Sequence, residues 1–185
     1  FLPAYEAGEV DYILLTNQAE INRIKSDPSL EDQLNTYADF ATLYLTMNTY
    51  QPPFNDLRVR QAFSHAVDQS ALVKSAMRSI GLSAPSMLQP GFPGGDPSAF
   101  SSIQRYDPVL ARELLAGAGY PDGKGFPQID IWVQNTQPHP AKMGAEAIQA
   151  MIKQNLNIDI GVQNIERKVF MEALNTHNIP LAMVG

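Results

Sequence analysis

The chain has 185 residues, 44% hydrophobic and 17% charged, a balance that supports one ordinary domain, or one plus part of another, and excludes extended disorder. Thirteen basic against 19 acidic residues give a formal charge of -6 with no basic block, which excludes a nucleic-acid backbone as partner. Cysteine is absent, so disulfides, thiol catalysis and cysteine-ligated metals are excluded, and no apolar run approaches the ~20 residues of a membrane-spanning helix.

The opening Phe1-Leu2-Pro3-Ala4 has neither an initiator Met nor a charged-then-apolar leader. It reads as mid-domain sequence, and the expectation is a piece of a longer protein. Residues 9–16, EVDYILLT, then predict a buried strand, followed by a short helix in NQAEINRIKSD with Asn17 as N-cap and Glu20 three residues on. In the next long apolar segment, Ala41, Leu43, Leu45 and Met47 alternate with Thr42, Tyr44, Thr46 and Asn48, the period of a strand with two unlike faces.

Pro52 and Pro53 forbid a ladder, so that strand must end before them. Asn55 or Asp56 is placed to cap a helix whose apolar positions Val59, Ala62, Phe63, Ala66 and Val67 follow helical spacing. Asp56 and Arg60 are spaced for a favourable i, i+4 pair. Asp68 offers a second cap, and Ala71, Leu72, Ala76, Met77 and Ile80 make a second stripe ending at Gly81. Residues 82–106 hold four prolines and three glycines without a period, a long loop or flap of the kind that is usually functional or mobile.

Asp107 and Pro108 open a third helix that closes at Gly119. From there strands QIDIWVQN, IDIGVQNI and IPLAMVG alternate with helices AKMGAEAIQAMIKQNL and ERKVFMEALNTH, the pattern of an α/β layer with parallel neighbours.

Residue chemistry names no catalytic set. The three histidines lie far apart, and none starts a metal-binding spacing. His65 inside a helix and His177 at a helix end read as structural. AGAGYPDGKGF follows a helix and lacks a G-K-[ST] ending, so it reads as a C-cap and turn. Arg58 and Arg60, flanked by Asp56 and Asp68, read as local pairs. Trp132, Tyr44 and Tyr50 fit either a core or a pocket floor. The segment QNTQPHP differs, because it directly follows a strand and precedes a helix, where open α/β sheets receive ligands. On position alone Asn135, Thr136 and His139 are candidates to line a ligand, and a plain connecting loop stays open beside that reading.

The order of motifs adds to this. AGEVDY, a strand into YLTMN, PPFNDLRVRQAFSHAVDQSALV, GLSAP with a Pro/Gly-rich loop, and YDPVLARELLAGAGYPDGKGFP before a strand together span nearly the whole chain. This series resembles the extracellular solute-binding proteins of family 5, the dipeptide and oligopeptide binders of ABC importers. The resemblance implies an α/β fold, a periplasmic-binding-protein-like lobe with a mixed, largely parallel sheet flanked by helices. Residues 1–40 would be the tail of a first lobe leading into a hinge strand over about 37–48. Residues 41–185 would be a second ligand-binding lobe, incomplete at its C-terminus.

It implies further that Thr46, Asn135 and His139 line the cleft. Gly185 matches a glycine normally followed by a tryptophan and an acidic anchor, and the arginine that some relatives carry two residues earlier is Met183 here. The implied protein is not an enzyme and uses no cofactor. It would capture a short peptide for a membrane permease and its ATPase subunits, as a periplasmic or extracellular monomer, with lipid anchoring left open. Another solute, such as a metal chelate or an oligosaccharide, or a non-transport peptide sensor or chaperone, is the alternative. The 185 residues by themselves are expected to hold at most half a cleft.

Overall fold

A computed structural model of the chain describes every residue except 16, 17, 36–40, 76–80, 85, 89–91, 97, 102 and 136–139. The chain divides into two compact units, Phe1–Asp39 and Phe40–Gly185.

The first unit contains helix α1 (Leu2–Glu6), helix α2 (Gln18–Lys25) and one 3-10 turn at Glu31–Gln33. Leu2 and Ile24 are its buried apolar residues among those described. An Arg23–Glu6 ion pair of 2.5 Å and a Tyr5 hydroxyl donating to Gln33 Oε1 tie the segments together. The strand expected over 9–16 does not form in its described part, residues 9–15, where Val10, Tyr12 and Leu14 are exposed. A strand exists only with a neighbour to satisfy its backbone groups, and the apolar run alone could not reveal that none is supplied among the described residues. Helix α2 is where its periodicity places it, while its expected cap, Asn17, lies outside the described residues.

The second unit is a four-stranded sheet with helices on both faces. Strands β1 (Tyr44–Met47), β2 (Asp130–Gln134), β3 (Gly161–Ile165) and β4 (Leu181–Val184) lie in the order β1-β4-β2-β3. Strand β2 runs parallel to both β3 and β4, and β1 is antiparallel to β4. The mixed, largely parallel sheet is as expected. The strand expected over about 37–48 is found only as β1, with residues 36–40 outside those described. Its length is set by its partner: Tyr44, Leu45, Thr46 and Met47 face Val184, Met183, Ala182 and Leu181 one for one.

Alternation along the strands divides the core. Ile131, Val133, Leu181 and Met183 point to one side, with Leu43, Leu45 and Met47 packed against them. That side is covered by α3 (Leu57–Ala66), α5 (Pro108–Gly117) and α6 (Pro140–Leu156), whose Val59, Phe63, Ala111, Leu115, Ile148 and Ile152 are buried. Ala182, Trp132, Ile165 and Val184 point the other way, onto Phe170, Ala173 and Leu174 of α7 (Arg167–Asn175).

The proline corner works as the sequence indicates. Asp56 caps α3 by accepting the Arg58 N–H at 2.8 Å, and Asp68 accepts from Ala71 N–H at 3.0 Å in α4 (Gln69–Ser75). The expected Asp56–Arg60 pair does not form. Arg58 takes Asp56 in an ion pair of 2.6 Å, and Arg60 donates to the Phe54 and Asn55 carbonyls at 2.7 and 3.2 Å. Two positions back along the cap, the Asp56 side chain turns toward the N–H and guanidinium of Arg58 together, which leaves Arg60 free to close the corner backbone. Of the stripe expected after Asp68, Ala76, Met77 and Ile80 lie outside the described residues. Asp107 caps α5 by accepting from Leu110 N–H at 3.0 Å, and Gly119, at φ 98°, ends it in a conformation that favours glycine.

Candidate ligand-binding site

Because β2, β3 and β4 are parallel, their carboxyl ends, Gln134, Ile165 and Val184, meet at one edge of the sheet. The antiparallel β1 starts at that same edge. Asn135 continues the ladder one step, its N–H donating to the Ile165 carbonyl at 2.8 Å, while its side chain is exposed. Carrying the β2–β4 register forward sets Asn135 opposite Gly185. Gly185 in turn lies against the start of β1: a Cβ there would stand 3.0 Å from Leu43 Cδ1 and 3.5 Å from the Thr42 carbonyl oxygen. Asn135 and Gly185 are therefore brought to one edge.

Thr46 is elsewhere. It pairs with Ala182, in the row that also holds Trp132 and Gln163, and is half-buried. That row is three residues in from the Asn135 row, about 10 Å along the strands. Thr46 shares the side of Ala182 and Trp132, the α7 side, whereas Ile131 and Val133, in step with Asn135, face α6. Thr136 and His139 lie outside the described residues.

Other candidates sort plainly. The Trp132 ring is half-buried against the Phe170 cluster, Tyr44 is half-buried on β1, and Tyr50 is exposed with its ring 4.3 Å from that of His177, tilted by 35°. His65 is buried, and its Nδ1 lies 2.8 Å from the Arg105 carbonyl oxygen, so this nitrogen carries a proton and donates. His177 follows α7 at φ 57°, its carbonyl accepting from Asn48 Nδ2 at 2.7 Å. Met183 is buried, with its Cε close over Gly144 of α6.

Two contributors were not apparent in the sequence. Gln134, the last residue of β2, faces α7 and reaches Met171; strand parity alone could have put it on that face. Thr42 donates through its hydroxyl to the Met87 carbonyl at 3.1 Å, bringing the 82–106 loop to the start of β1. No local pattern encodes a contact across 45 residues.

Displaced titrations belong to caps and turns. The side chain and N–H of Arg58 hold the Asp56 carboxyl below the usual carboxylate range, the Leu110 N–H does so for Asp107, and Ser98 for Asp96. Among the described residues no cluster of three or more His, Asp or Glu could hold a metal ion. No helix among them is long and apolar enough to cross a membrane.

Residues 2–185 match the family model of bacterial extracellular solute-binding proteins, family 5. The chain belongs to this family. Heme-binding protein A of Haemophilus influenzae is 36% identical over 151 residues, 78% of this chain and 26% of its own length. The Dipeptide-binding protein of Escherichia coli K12 is 35% identical over 149 residues, again 78% of this chain and 26% of its own. A dipeptide binding protein from Pseudoalteromonas sp. SM9913, solved with Met-Leu, superposes with a TM-score of 0.68 at 30% identity, over 77% of this chain and 27% of that one. The E. coli murein tripeptide binding protein MppA shares the fold at TM-score 0.76 over 99% of this chain and 36% of its own. This family 5 chain thus spans about a quarter to a third of the length of these relatives. Its family is one of solute-binding proteins rather than enzymes.

Proposed function

We propose that the complete polypeptide captures short peptides between two lobes and hands them to an ABC importer, with this chain supplying the end of one lobe and most of the other. The observation that carries the reading is the relative solved with Met-Leu, which matches most of this chain in sequence and fold. Residues 1–40 then lead out of the first lobe and 41–185 belong to the second. The carboxyl edge with Asn135 and Gly185 faces the cleft, joined by Thr136 and His139 from the connection to α6. Thr46, farther in, acts from the strand that enters the lobe.

The mechanism needs no bond-making. Backbone groups at strand ends hold a peptide main chain whatever its side chains, and closure about the hinge removes it from water. A permease and its ATPase subunits are the downstream partners, and the compartment is periplasmic or extracellular, a reading supported by the family description, which calls its members extracellular.

A second reading has its own support, since the Haemophilus influenzae relative is named a heme-binding protein. Mass spectrometry of small molecules that co-purify with the complete polypeptide separates the two. Recovery of short peptides is expected, and consistent recovery of heme, a metal chelate or an oligosaccharide in their place would overturn the peptide assignment.

A further inference from the structure

We infer that Met87, Leu88, Ala99 and Phe100, described residues of the 82–106 stretch, form a subsite for one apolar side chain of the bound peptide, beside the carboxyl edge of the sheet. The inference rests on the peptide reading above and adds to it where a side chain is sensed. These residues border an open cavity of about 380 Å³, toward the lower end of the roughly 300–1,000 Å³ typical of small-molecule sites. Its walls include Met87, Leu88, Ala99 and Phe100, with Gly94 and Asp96 beside them. Met87, Leu88 and Phe100 are 58%, 45% and 46% exposed, so the apolar wall is not consumed by a core of the loop's own.

The loop is fastened at its base. Gln69 of α4 accepts from the Ser83 hydroxyl at 2.9 Å and donates to Gln104 Oε1 at 3.5 Å, joining the two limbs. His65 Nδ1 donates to the Arg105 carbonyl, and the Asp107 N–H donates to the His65 carbonyl at 2.9 Å. Within the loop, Asp96 Oδ1 accepts from the Ser98 N–H at 2.8 Å and hydroxyl at 2.6 Å. On the far side, the Thr42 hydroxyl holds the Met87 carbonyl, and the Thr42 carbonyl lies beside Gly185. The path from Met87 through Thr42 to Gly185 sets the apolar wall next to the edge already assigned to the ligand.

The lining selects by polarity. Met, Leu and Phe side chains favour an uncharged apolar group, which leaves water on entering. Asp96 is a carboxylate at neutral pH, as any exposed aspartate is, so an acidic side chain meets a negative charge there.

Calorimetry on the complete polypeptide tests this with tripeptides that differ in one side chain at each position in turn: Ala, Leu, Phe or Asp. At one position Leu and Phe are expected to bind about tenfold tighter than Ala, with Asp weakest. Ala99→Phe, an exposed site on the wall, fills the cavity. It should bring the Leu and Ala peptides within about twofold of each other. Phe100→Ala, which opens the wall instead, should reduce the preference for Phe. Peptides that bind with side-chain preferences untouched by both variants would overturn the subsite and leave the peptide reading standing. If no peptide of the series binds wild type or variant, both readings fall.

Discussion

Asn155 shows how one buried polar side chain can hold two helices. It is 7% exposed, and its Nδ2 donates to the Ala66 carbonyl at 2.8 Å and to the Tyr106 hydroxyl at 3.3 Å. Ala66 ends α3, where the last carbonyls have no partner within the helix, so a side chain from α6 finishes the turn. Asn155→Leu leaves that carbonyl buried and unpaired. The expected loss is about 1–3 kcal/mol, read as a lower urea midpoint with an unchanged slope. The helix caps give a second prediction at this scale. Asp56 and Asp107 have depressed folded-state pKa values, from bonds to Arg58 and to Leu110. Their contribution is complete above the unfolded carboxylate value of about 4 and is lost as pH falls through the depressed values. The thermal midpoint should therefore drop as pH falls below about 4. Asparagine still caps but does not titrate in this range, so D56N and D107N together should flatten that slope in a series of thermal melts. Unchanged steepness would show that these caps do not carry the acid sensitivity. Both caps were legible in the sequence, because a cap is decided within three or four residues. Asn155 was not, because its acceptor is 89 residues away.

At the scale of elements, the proline corner, α3 and the turn after α5 are joined through aromatic rings. Phe54 meets Phe63 edge-on at 5.1 Å, Phe63 stacks on Phe126 at 5.6 Å, and Tyr120 meets Phe126 edge-on at 5.1 Å. These contacts join the two most distinctive stretches of the sequence, around 52–73 and 106–127, because each supplies rings to one core. The 3-10 turn Pro121–Gly123 carries the second stretch against the end of α6. Gly123 has φ 73°, and a Cβ there would stand 2.6 Å from the Asn157 carbonyl oxygen and 2.9 Å from that of Leu156. Both objects are backbone and cannot rotate away. Gly123→Ala should cost about 1–3 kcal/mol through crowding and a left-handed backbone, whereas Gly117→Ala, with open space around it, serves as the matched control. Equal urea midpoints for the two variants would contradict the clamp. Helices α3, α5, α6 and α7 were legible because their stripes and caps are local. The apolar run at 9–15 misled for the opposite reason: strand formation is a property of two segments, and sequence alone showed one.

At the scale of the whole molecule, position in the fold was legible for Asn135, because a polar residue closing a strand before a helix falls at the carboxyl edge of any parallel sheet. The depth of Thr46 was not, since it depends on the β1–β4 register, and neither was the link from Thr42 to the 82–106 loop. These placements bear on how much binding one lobe can deliver. Residues 40–185 have their own core on both faces of the sheet, so the second unit should fold alone and melt cooperatively. Yet the proposed cleft is one edge of that sheet, and relatives of this chain are about three times as long. A peptide held only by this edge keeps the entropy cost of ordering while losing the contacts of the opposing lobe and the exclusion of water that closure provides. The 185-residue chain should consequently bind a given peptide at least about a hundredfold more weakly than the complete polypeptide, a difference of about 3 kcal/mol. Calorimetry of both forms against one tripeptide checks this. Affinities within a few fold of each other would place the whole of the binding energy in this lobe and remove hinge closure from the mechanism.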